Sequence, residues 1–367
     1  MANPTPSAQL RSHTLYDSIE EMLLLENLQS VLGRPVSDVR ILEFSSVDGR
    51  SGGLLSSVHV DGDRFVLKRF APETDVVMRL TDDLHARSVD LWVSGVLDRL
   101  PPQMVHGVVA CSLDGKGRAI LLEDFTGSLL PARDERLTEG DNATVLGALA
   151  ALHAEFWEDE VTLGQRSLCT LLNRYGLFTP GAMSAPDVVE SAKIAPIMLE
   201  GWKLLPSLIN PHVSRLLETL QRDLSPLCRA LQRFPQTLLH GDWHYGNLGL
   251  LRGPEPRVIA LDWGFVGVGP PALDLAEYLA IGAMRLPGSK DESIETYRRA
   301  LSIQLGSRFD ESWWRPQLEL ALLGEFLRFS WNKALTAVND PHPENRQRER
   351  AEIAWWAEHA VLGARWL

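Results

Sequence analysis

The chain of 367 residues is 45% hydrophobic and 23% charged, a composition typical of a folded protein with a well-buried core. Because 48 acidic residues outnumber 36 basic ones, the net charge is −12, which argues against binding to nucleic acid or to an anionic membrane surface. The 3 cysteines are odd in number and widely spaced, which argues against a disulfide framework and favours a cytoplasmic location. No apolar stretch approaches the ~18 residues that span a membrane, so we expect neither secretion nor membrane spanning.

Strand and helix patterns alternate in the N-terminal third of the chain. Apolar residues at helical spacing predict a helix over residues 15–33, and the same spacing returns over residues 75–100. A tight turn at residues 61–63 predicts a hairpin. The predicted strands cover residues 39–44, 54–60, 64–70, 105–111 and 118–123.

The rest of the chain is mainly helical. Helical patterns include residues 144–157 and resume at Ala272. Brief apolar runs predict three small strands, at residues 238–240, 248–251 and 258–261. We therefore predict an α+β fold in which residues 1–124 form a small antiparallel-sheet lobe with one helix, and residues 125–367 form a larger, mostly helical lobe.

The most informative segment reads HGDWHYGN from His240 to Asn247, and Asp262 follows in the sequence DWG. His240, Asp242 and Asn247 have the spacing of the catalytic loop of protein kinases. Phosphoryl transfer requires a carboxylate near the acceptor hydroxyl, and an amide oxygen and a second carboxylate that hold magnesium. A hairpin between Asn247 and Asp262 would return both residues to the same end of two adjacent strands. The segment therefore fits a phosphoryl-transfer site.

This segment resembles the signature of the aminoglycoside phosphotransferase and choline kinase-like family of small-molecule kinases. Residues 149–157 (LAALHAEFW) and 269–276 (GPPALDLA) also resemble family segments. The resemblance implies a two-lobed protein-kinase-like fold, with a catalytic loop at residues 238–264. It further implies ATP and Mg²⁺ as cofactors, and transfer of the γ-phosphate to a hydroxyl of a metabolite or an aminoglycoside-like acceptor.

The resemblance also implies roles for individual residues. Asp242 would be the catalytic residue that accepts the proton of the acceptor hydroxyl, and Asn247 and Asp262 would hold Mg²⁺. The supporting residues of the loop would be His240, His244 and Asp274. In the N-terminal lobe, Lys68 would contact the α and β phosphates. The other nucleotide contacts would come from Gly49, Ser51 and Gly52 in a glycine-rich loop, and from Glu123 and Phe125 in the linker.

One expected residue is missing from the N-terminal lobe. The family usually pairs the lysine with a glutamate on the lobe's helix, but residues 75–100 contain no glutamate. Asp83 or Asp90 could pair with Lys68 instead, or Ser88 could face it. Asp82 is a further acidic residue in the same segment.

Two other functions fit parts of the sequence. Asp242-x-His244 resembles the first metal-binding element of a metallophosphoesterase, but only His342 and His359 follow, and neither lies in a Gly-Asn-His context. The missing glutamate would suit a catalytically silent nucleotide-binding protein, although the complete Asp, Asn and Asp set argues against it. We therefore favour a kinase.

The acceptor is predicted only as a class. The family builds its acceptor pocket from residues corresponding to about 158–210 and from the last helices. In this chain these regions combine aromatic residues with Glu200, Glu319, Glu325, Glu352 and Glu358. Such a lining would suit a small acceptor that is cationic or polyhydroxylated.

Overall fold

The computed structural model of the protein describes residues 13–43, 53–130 and 135–367. The strands are β1 (Leu15–Tyr16), β2 (Val39–Glu43), β3 (Leu54–Val60), β4 (Asp63–Phe70), β5 (Met104–Val105), β6 (Val108–Asp114), β7 (Gly117–Glu123), β8 (Thr237–Leu239), β9 (Leu248–Leu251), β10 (Arg257–Ala260) and β11 (Gly267–Gly269). The α-helices are α1 (Ile19–Met22), α2 (Leu25–Leu32), α3 (Val76–Leu80), α4 (Arg87–Val93), α5 (Glu139–Glu155), α6 (Glu160–Leu163), α7 (Leu171–Gly176), α8 (Pro180–Met183), α9 (Pro186–Ser191), α10 (Ala195–Leu204), α11 (Pro211–Arg222), α12 (Ser225–Leu231), α13 (Ala272–Gly282), α14 (Lys290–Leu305), α15 (Glu311–Asn339) and α16 (Pro343–Gly363). The α+β composition is as predicted.

Six strands form the sheet of the N-terminal lobe, in the order β1-β6-β7-β4-β3-β2. Neighbouring strands are antiparallel, except that β1 runs parallel to β6. In the turn between β3 and β4, Asp61 and Gly62 have φ angles of 51° and 94°, the positive values that a two-residue type I′ turn requires. The structure confirms the predicted sheet and its first hairpin.

The two faces of this sheet have different surroundings. Phe65 and Leu67 of β4 belong to an apolar cluster with Met22 and Leu28 of α1 and α2, so these helices cover one face. Successive side chains of a strand point to opposite faces. Lys68 therefore projects from the other face, where it meets the helical lobe.

The N-terminal helix predicted over residues 15–33 is wrong in its first part. Leu15 and Tyr16 form β1, which pairs with Cys111 and Ser112 of β6, and the chain then forms α1 and α2. Pairing with β6 is a long-range interaction that the periodicity of a local segment does not record.

The single helix predicted over residues 75–100 is also wrong. The segment contains α3 and α4, and its last part is a 3-10 helix at Val96–Arg99. The helix breaks because Asp82 and Ala86 adopt φ angles of 57° and 62°, outside the helical region. The Asp83 carboxylate accepts the backbone N–H of Arg87 at 2.9 Å and so fixes the start of α4.

Two further small sheets, β5-β10-β9 and β11-β8, are built mainly from strands of the helical lobe. The predicted strand 105–111 is divided because Gly107, with φ 68°, turns the chain between β5 and β6. Helices α5, α13 and α15 contribute fully buried side chains to the large core, including Leu149, Leu275 and Leu323. Among the described residues, no helix has the length and apolar character needed to cross a membrane.

Candidate active site

The hairpin of β9 and β10 brings the proposed metal ligands together. Leu248 pairs with Ala260 at the open end of the hairpin, and the backbone N–H of Leu261 donates to the Asn247 carbonyl at 2.8 Å. Asn247 directly precedes β9, and Asp262 follows β10 after one residue. The structure therefore confirms the predicted hairpin, which places both residues at the same end of the two strands.

Asp242 lies beside Asn247 and His244. The side-chain amide nitrogen of Asn247 donates to Asp242 Oδ2 at 2.7 Å, and His244 Nε2 lies 3.3 Å from Asp242 Oδ1. Burial alone would raise the pKa of Asp242, but these two neighbours stabilise its charged form and lower the pKa to about 2. Asp242 is therefore a carboxylate at neutral pH, as an acceptor of a hydroxyl proton must be.

The donor groups at the hairpin end fit Mg²⁺. Since the Asn247 amide nitrogen donates to Asp242, its amide oxygen is the group available for a cation. The Asp262 side chain is 37% exposed, and it supplies a carboxylate. Carboxylate and amide oxygens, together with phosphate oxygens, are the ligands that Mg²⁺ prefers. A metallophosphoesterase centre would require several such ligands close together. Within the described residues there is no cluster of three or more His, Cys, Asp or Glu side chains suited to a metal.

Lys68 pairs with Asp262, and not with Asp83 or Asp90 as the sequence suggested. The Lys68 ammonium lies 2.8 Å from Asp262 Oδ2. Asp83 instead binds Arg87, and the side chain of Asp90 hydrogen-bonds Ser167. The substitute-aspartate hypothesis is therefore wrong for both residues.

A different aspartate of the same segment lies within electrostatic range of Lys68 and Asp262. Asp75 is only 5% exposed and caps α3 by accepting the N–H groups of Val77 and Met78. Burial raises its pKa, while the charge of Lys68 opposes that rise and the charge of Asp262 adds to it. Asp75 thus contributes negative potential near Lys68 through space.

The predicted catalytic loop is held by Asp274. This fully buried carboxylate accepts the backbone N–H of His240 at 2.7 Å and that of Gly241 at 3.0 Å, and His153 Nε2 lies 3.2 Å from it. Both main-chain bonds come from the residues directly before Asp242. The structure therefore places Asp274 where it can support the loop.

His240 connects the segment that contains Asp242 to the segment that contains Asp262. Its Nδ1 accepts the backbone N–H of Asp242, so the hydrogen resides on Nε2, which donates to the Leu261 carbonyl at 3.0 Å. Burial lowers the pKa of His240 and favours this neutral ring. Trp243 and Trp263 pack around the ring in the core. His240 thus holds the residues next to Asp242 and Asp262 at a fixed separation.

Two main-chain groups at the end of β7 and in the linker after it are already hydrogen-bonded. The N–H of Glu123 donates to the Gly107 carbonyl at 2.8 Å, and the Phe125 carbonyl accepts the N–H of Ser128 at 2.7 Å. Pairing of the linker with adenine would therefore use other main-chain groups of residues 123–127. The glycine-rich residues Gly49, Ser51 and Gly52 lie outside the described residues.

Most of the glutamates expected near the acceptor already have basic partners. Glu200 lies near Lys203, Glu319 binds Arg315, Glu352 pairs with Lys290, and Glu325 is fully buried between Arg174 and Arg328. Their charges are matched, so these glutamates do not by themselves indicate a cationic acceptor.

Two buried arginines near the site were missed by sequence reasoning. Arg87 donates to the Ser167 carbonyl at 2.6 Å and lies 3.4 Å from the Gly264 carbonyl, so it joins α4 to the DWG segment. Arg174 donates to the Gly241 carbonyl at 2.9 Å. The only signal in the sequence is the position of Arg174 within the largely apolar run LLNRYGLF.

Comparison with known proteins identifies the family. Among solved structures the chain is similar to a microcompartment-associated aminopropanol kinase, with 14% identity, a TM-score of 0.48, and coverage of 93% of this chain and 98% of that chain. A choline kinase from Streptococcus pneumoniae has 14% identity, a TM-score of 0.42, and coverage of 93% and 99%. A spectinomycin phosphotransferase in complex with ADP and spectinomycin has 10% identity, a TM-score of 0.43, and coverage of 94% and 98%. No curated protein matches the sequence. The model of the phosphotransferase enzyme family matches residues 49–316, and the chain belongs to this family.

Proposed function

We propose that the protein is an ATP-dependent kinase that uses Mg²⁺ to transfer the γ-phosphate to a hydroxyl group of a small molecule. The observation that carries this proposal is the convergence of Asp242, Asn247 and Asp262 at the end of the β9–β10 hairpin, with the Lys68 ammonium 2.8 Å from Asp262. Family membership supports the reaction class. In this proposal residues 1–124 bind the nucleotide and residues 125–367 carry the catalytic loop and the acceptor pocket.

Asp242 would orient the acceptor. Its ionised carboxylate would accept a hydrogen bond from the acceptor hydroxyl and direct the oxygen toward the γ-phosphorus. A carboxylate with a pKa of about 2 is a weak base toward a neutral alcohol. The proton would therefore move to Asp242 late, as the new P–O bond forms and the bond to ADP breaks.

Asn247 and Asp262 would hold the metal, and Lys68 would bind the nucleotide. Mg²⁺, when bound, would neutralise charge on the phosphates. The Lys68 ammonium neutralises Asp262 in the free protein and would move to the α and β phosphates. Gly49, Ser51, Gly52, Glu123 and Phe125 remain the proposed further contacts to the nucleotide.

The direct test is ADP release from MgATP by the purified protein. The panel of acceptors should contain hydroxylated amines, sugars and aminoglycosides, because the paired glutamates favour none of these classes. We expect one class to raise ADP release above the acceptor-free rate and to yield a phosphate monoester in ³¹P NMR spectra. Nucleotide binding without turnover for every acceptor would instead favour the silent nucleotide-binding protein. A cytoplasmic location is part of the proposal, and fractionation of the producing cells tests it.

A further inference from the structure

Four charged side chains form a buried cluster next to the predicted catalytic loop. The buried quartet consists of Arg174 of α7, Glu277 of α13, and Glu325 and Arg328 of α15. Arg174 lies 3.0 Å from Glu277 and 2.9 Å from Glu325, and Arg328 lies 3.0 Å and 2.9 Å from the same two residues. All four side chains are at most 4% exposed. Each arginine therefore pairs with both glutamates.

The quartet is balanced in charge but is not explained by stability. The formal charges of two guanidinium groups and two carboxylates sum to zero, which avoids the large cost of an unpaired buried charge. Even so, apolar residues of similar size often stabilise a core as well as buried ion pairs do. We therefore expect a cluster that joins three helices at this depth to hold a neighbouring part of the chain in position.

Arg174 is the member that contacts the catalytic loop. Its Nη1 donates to the Gly241 carbonyl at 2.9 Å, while the Gly241 N–H donates to Asp274 at 3.0 Å. Gly241 has φ 82°, a conformation in which the backbone of other residues is strained. Both polar groups of Gly241 are thus fixed by buried charges, and the next residue is Asp242.

The segment around Arg174 also contacts the residues that follow the DWG segment. The backbone N–H of Cys169 donates to the Val266 carbonyl at 2.8 Å, and Arg87 donates to the Ser167 carbonyl. Tyr175 packs against Gly324 of α15, where a Cβ atom would lie 2.3 Å from its hydroxyl. These contacts leave α7 little freedom to move relative to Gly241.

We propose that Arg174 is a positioning residue that fixes the peptide between Gly241 and Asp242 and so directs the Asp242 carboxylate. Glu277 and Glu325 hold the Arg174 guanidinium in place, and Arg328 balances the second negative charge of this pair. This inference rests on the proposed role of Asp242 in phosphoryl transfer.

Arg328 provides a matched control for Arg174. Arg174→Met and Arg328→Met each remove one buried guanidinium from the same two carboxylates, but only Arg174→Met frees the Gly241 carbonyl. We expect similar losses of stability in thermal unfolding. The kcat for ADP release from MgATP should fall at least about tenfold further in Arg174→Met, since a hydrogen bond from a charged group is lost, while the KM for MgATP stays within about twofold.

Two more variants distinguish the effect of the Arg174 charge from the effect of its hydrogen bond to Gly241. Arg174→Lys keeps the positive charge, and we expect it to restore stability more fully than kcat. The double variant Arg174→Met/Glu277→Gln restores the balance of charge, so stability should recover but kcat should not. Equal losses of kcat in Arg174→Met and Arg328→Met, or recovery of kcat in the double variant, would overturn the proposal. If Arg174→Met does not fold, Arg174→Lys is compared with Arg328→Lys.

Hydrogen exchange tests the positioning independently of turnover. We expect faster exchange of the amides of residues 240–247 in Arg174→Met than in Arg328→Met, whether or not MgATP is consumed. Equal exchange in the two variants would overturn the inference. A parent protein that consumes no MgATP with any acceptor would instead refute the proposed function.

Discussion

The Asp242 and Asp262 carboxylates lie close in the fold but have different partners. Asp242 accepts a hydrogen bond from Asn247 and lies beside His244, which keeps its pKa at about 2. Asp262 faces Lys68 and solvent, so a cation can reach it. These surroundings suit Asp242 for orienting an acceptor hydroxyl and suit Asp262 for binding a metal.

We expect Asp262→Ala to abolish the dependence of ATP binding on magnesium. The remaining proposed ligand, Asn247, is neutral and does not balance a divalent charge. Calorimetric titrations with and without Mg²⁺ measure this effect. Equal enhancement by Mg²⁺ in the parent and the variant would show that Asp262 is not a metal ligand.

Lys68→Met is expected to weaken MgATP binding by about 10-fold to 100-fold, since it removes a charge-assisted contact to the phosphates. Lys116→Met is the matched control. Lys116 is the other lysine of residues 1–124, and it is 87% exposed on a hairpin turn. We expect the control to bind MgATP like the parent. Similar affinities for Lys68→Met and the parent would contradict the phosphate contact.

At the scale of elements, short segments are fixed by contacts from distant parts of the chain. Arg87 at the start of α4 reaches the carbonyls of Ser167 and Gly264. Asp274 at the start of α13 holds the loop that follows β8. The geometry of each loop therefore depends on the helices packed behind it.

The close approach of Gly241 to Phe265 predicts that the catalytic loop does not tolerate a side chain at this position. A Cβ atom at Gly241 would lie 2.0 Å from the Phe265 carbonyl oxygen. Gly62→Ala is the control, because Gly62 has φ 94° but no atom near the added Cβ. We expect Gly62→Ala to cost about 1–2 kcal/mol from backbone strain alone and Gly241→Ala to cost at least ~3 kcal/mol. Equal free energies of unfolding for the two variants would refute this explanation.

The break between α3 and α4 predicts a pH-dependent stability. Burial raises the pKa of Asp83 to about 6, although Arg87 opposes the rise. The folded state therefore favours the protonated carboxyl, so this stabilisation is complete below about pH 4 and is lost as the pH rises through about 6. Asp83→Asn stays neutral and should lack this loss, which amounts to about 2–3 kcal/mol.

Denaturant unfolding between pH 4 and pH 7 measures the difference between the parent and Asp83→Asn. Asp82→Asn is the control, because Asp82 is exposed and its φ of 57° is one that asparagine tolerates. We expect the control to keep the pH dependence of the parent. A parallel pH dependence in the parent and Asp83→Asn would contradict the raised pKa.

At the scale of the whole molecule, a sheet lobe and a helical lobe meet at the ion pair between Lys68 and Asp262. Strand-like runs and a tight turn predicted the strands of the sheet, and brief apolar runs at residues 248–251 and 258–261 predicted the two strands of the β9–β10 hairpin. These features depend on local sequence. The Lys68–Asp262 pair, the contact of Arg87 with Gly264, and the buried quartet join residues far apart in the chain. Local periodicity carries no information about such contacts, so the partner of Lys68 and the break before α4 were predicted wrongly.

The most direct test of phosphoryl transfer at this site compares Asp242→Asn with the parent. Asparagine keeps the size of the side chain but cannot take up the acceptor proton. We expect ADP release from MgATP with the acceptor found by the panel to fall by about 10²-fold to 10⁴-fold, while the Kd for MgATP changes less than about threefold. Turnover by Asp242→Asn at close to the parent rate would contradict a catalytic role for Asp242.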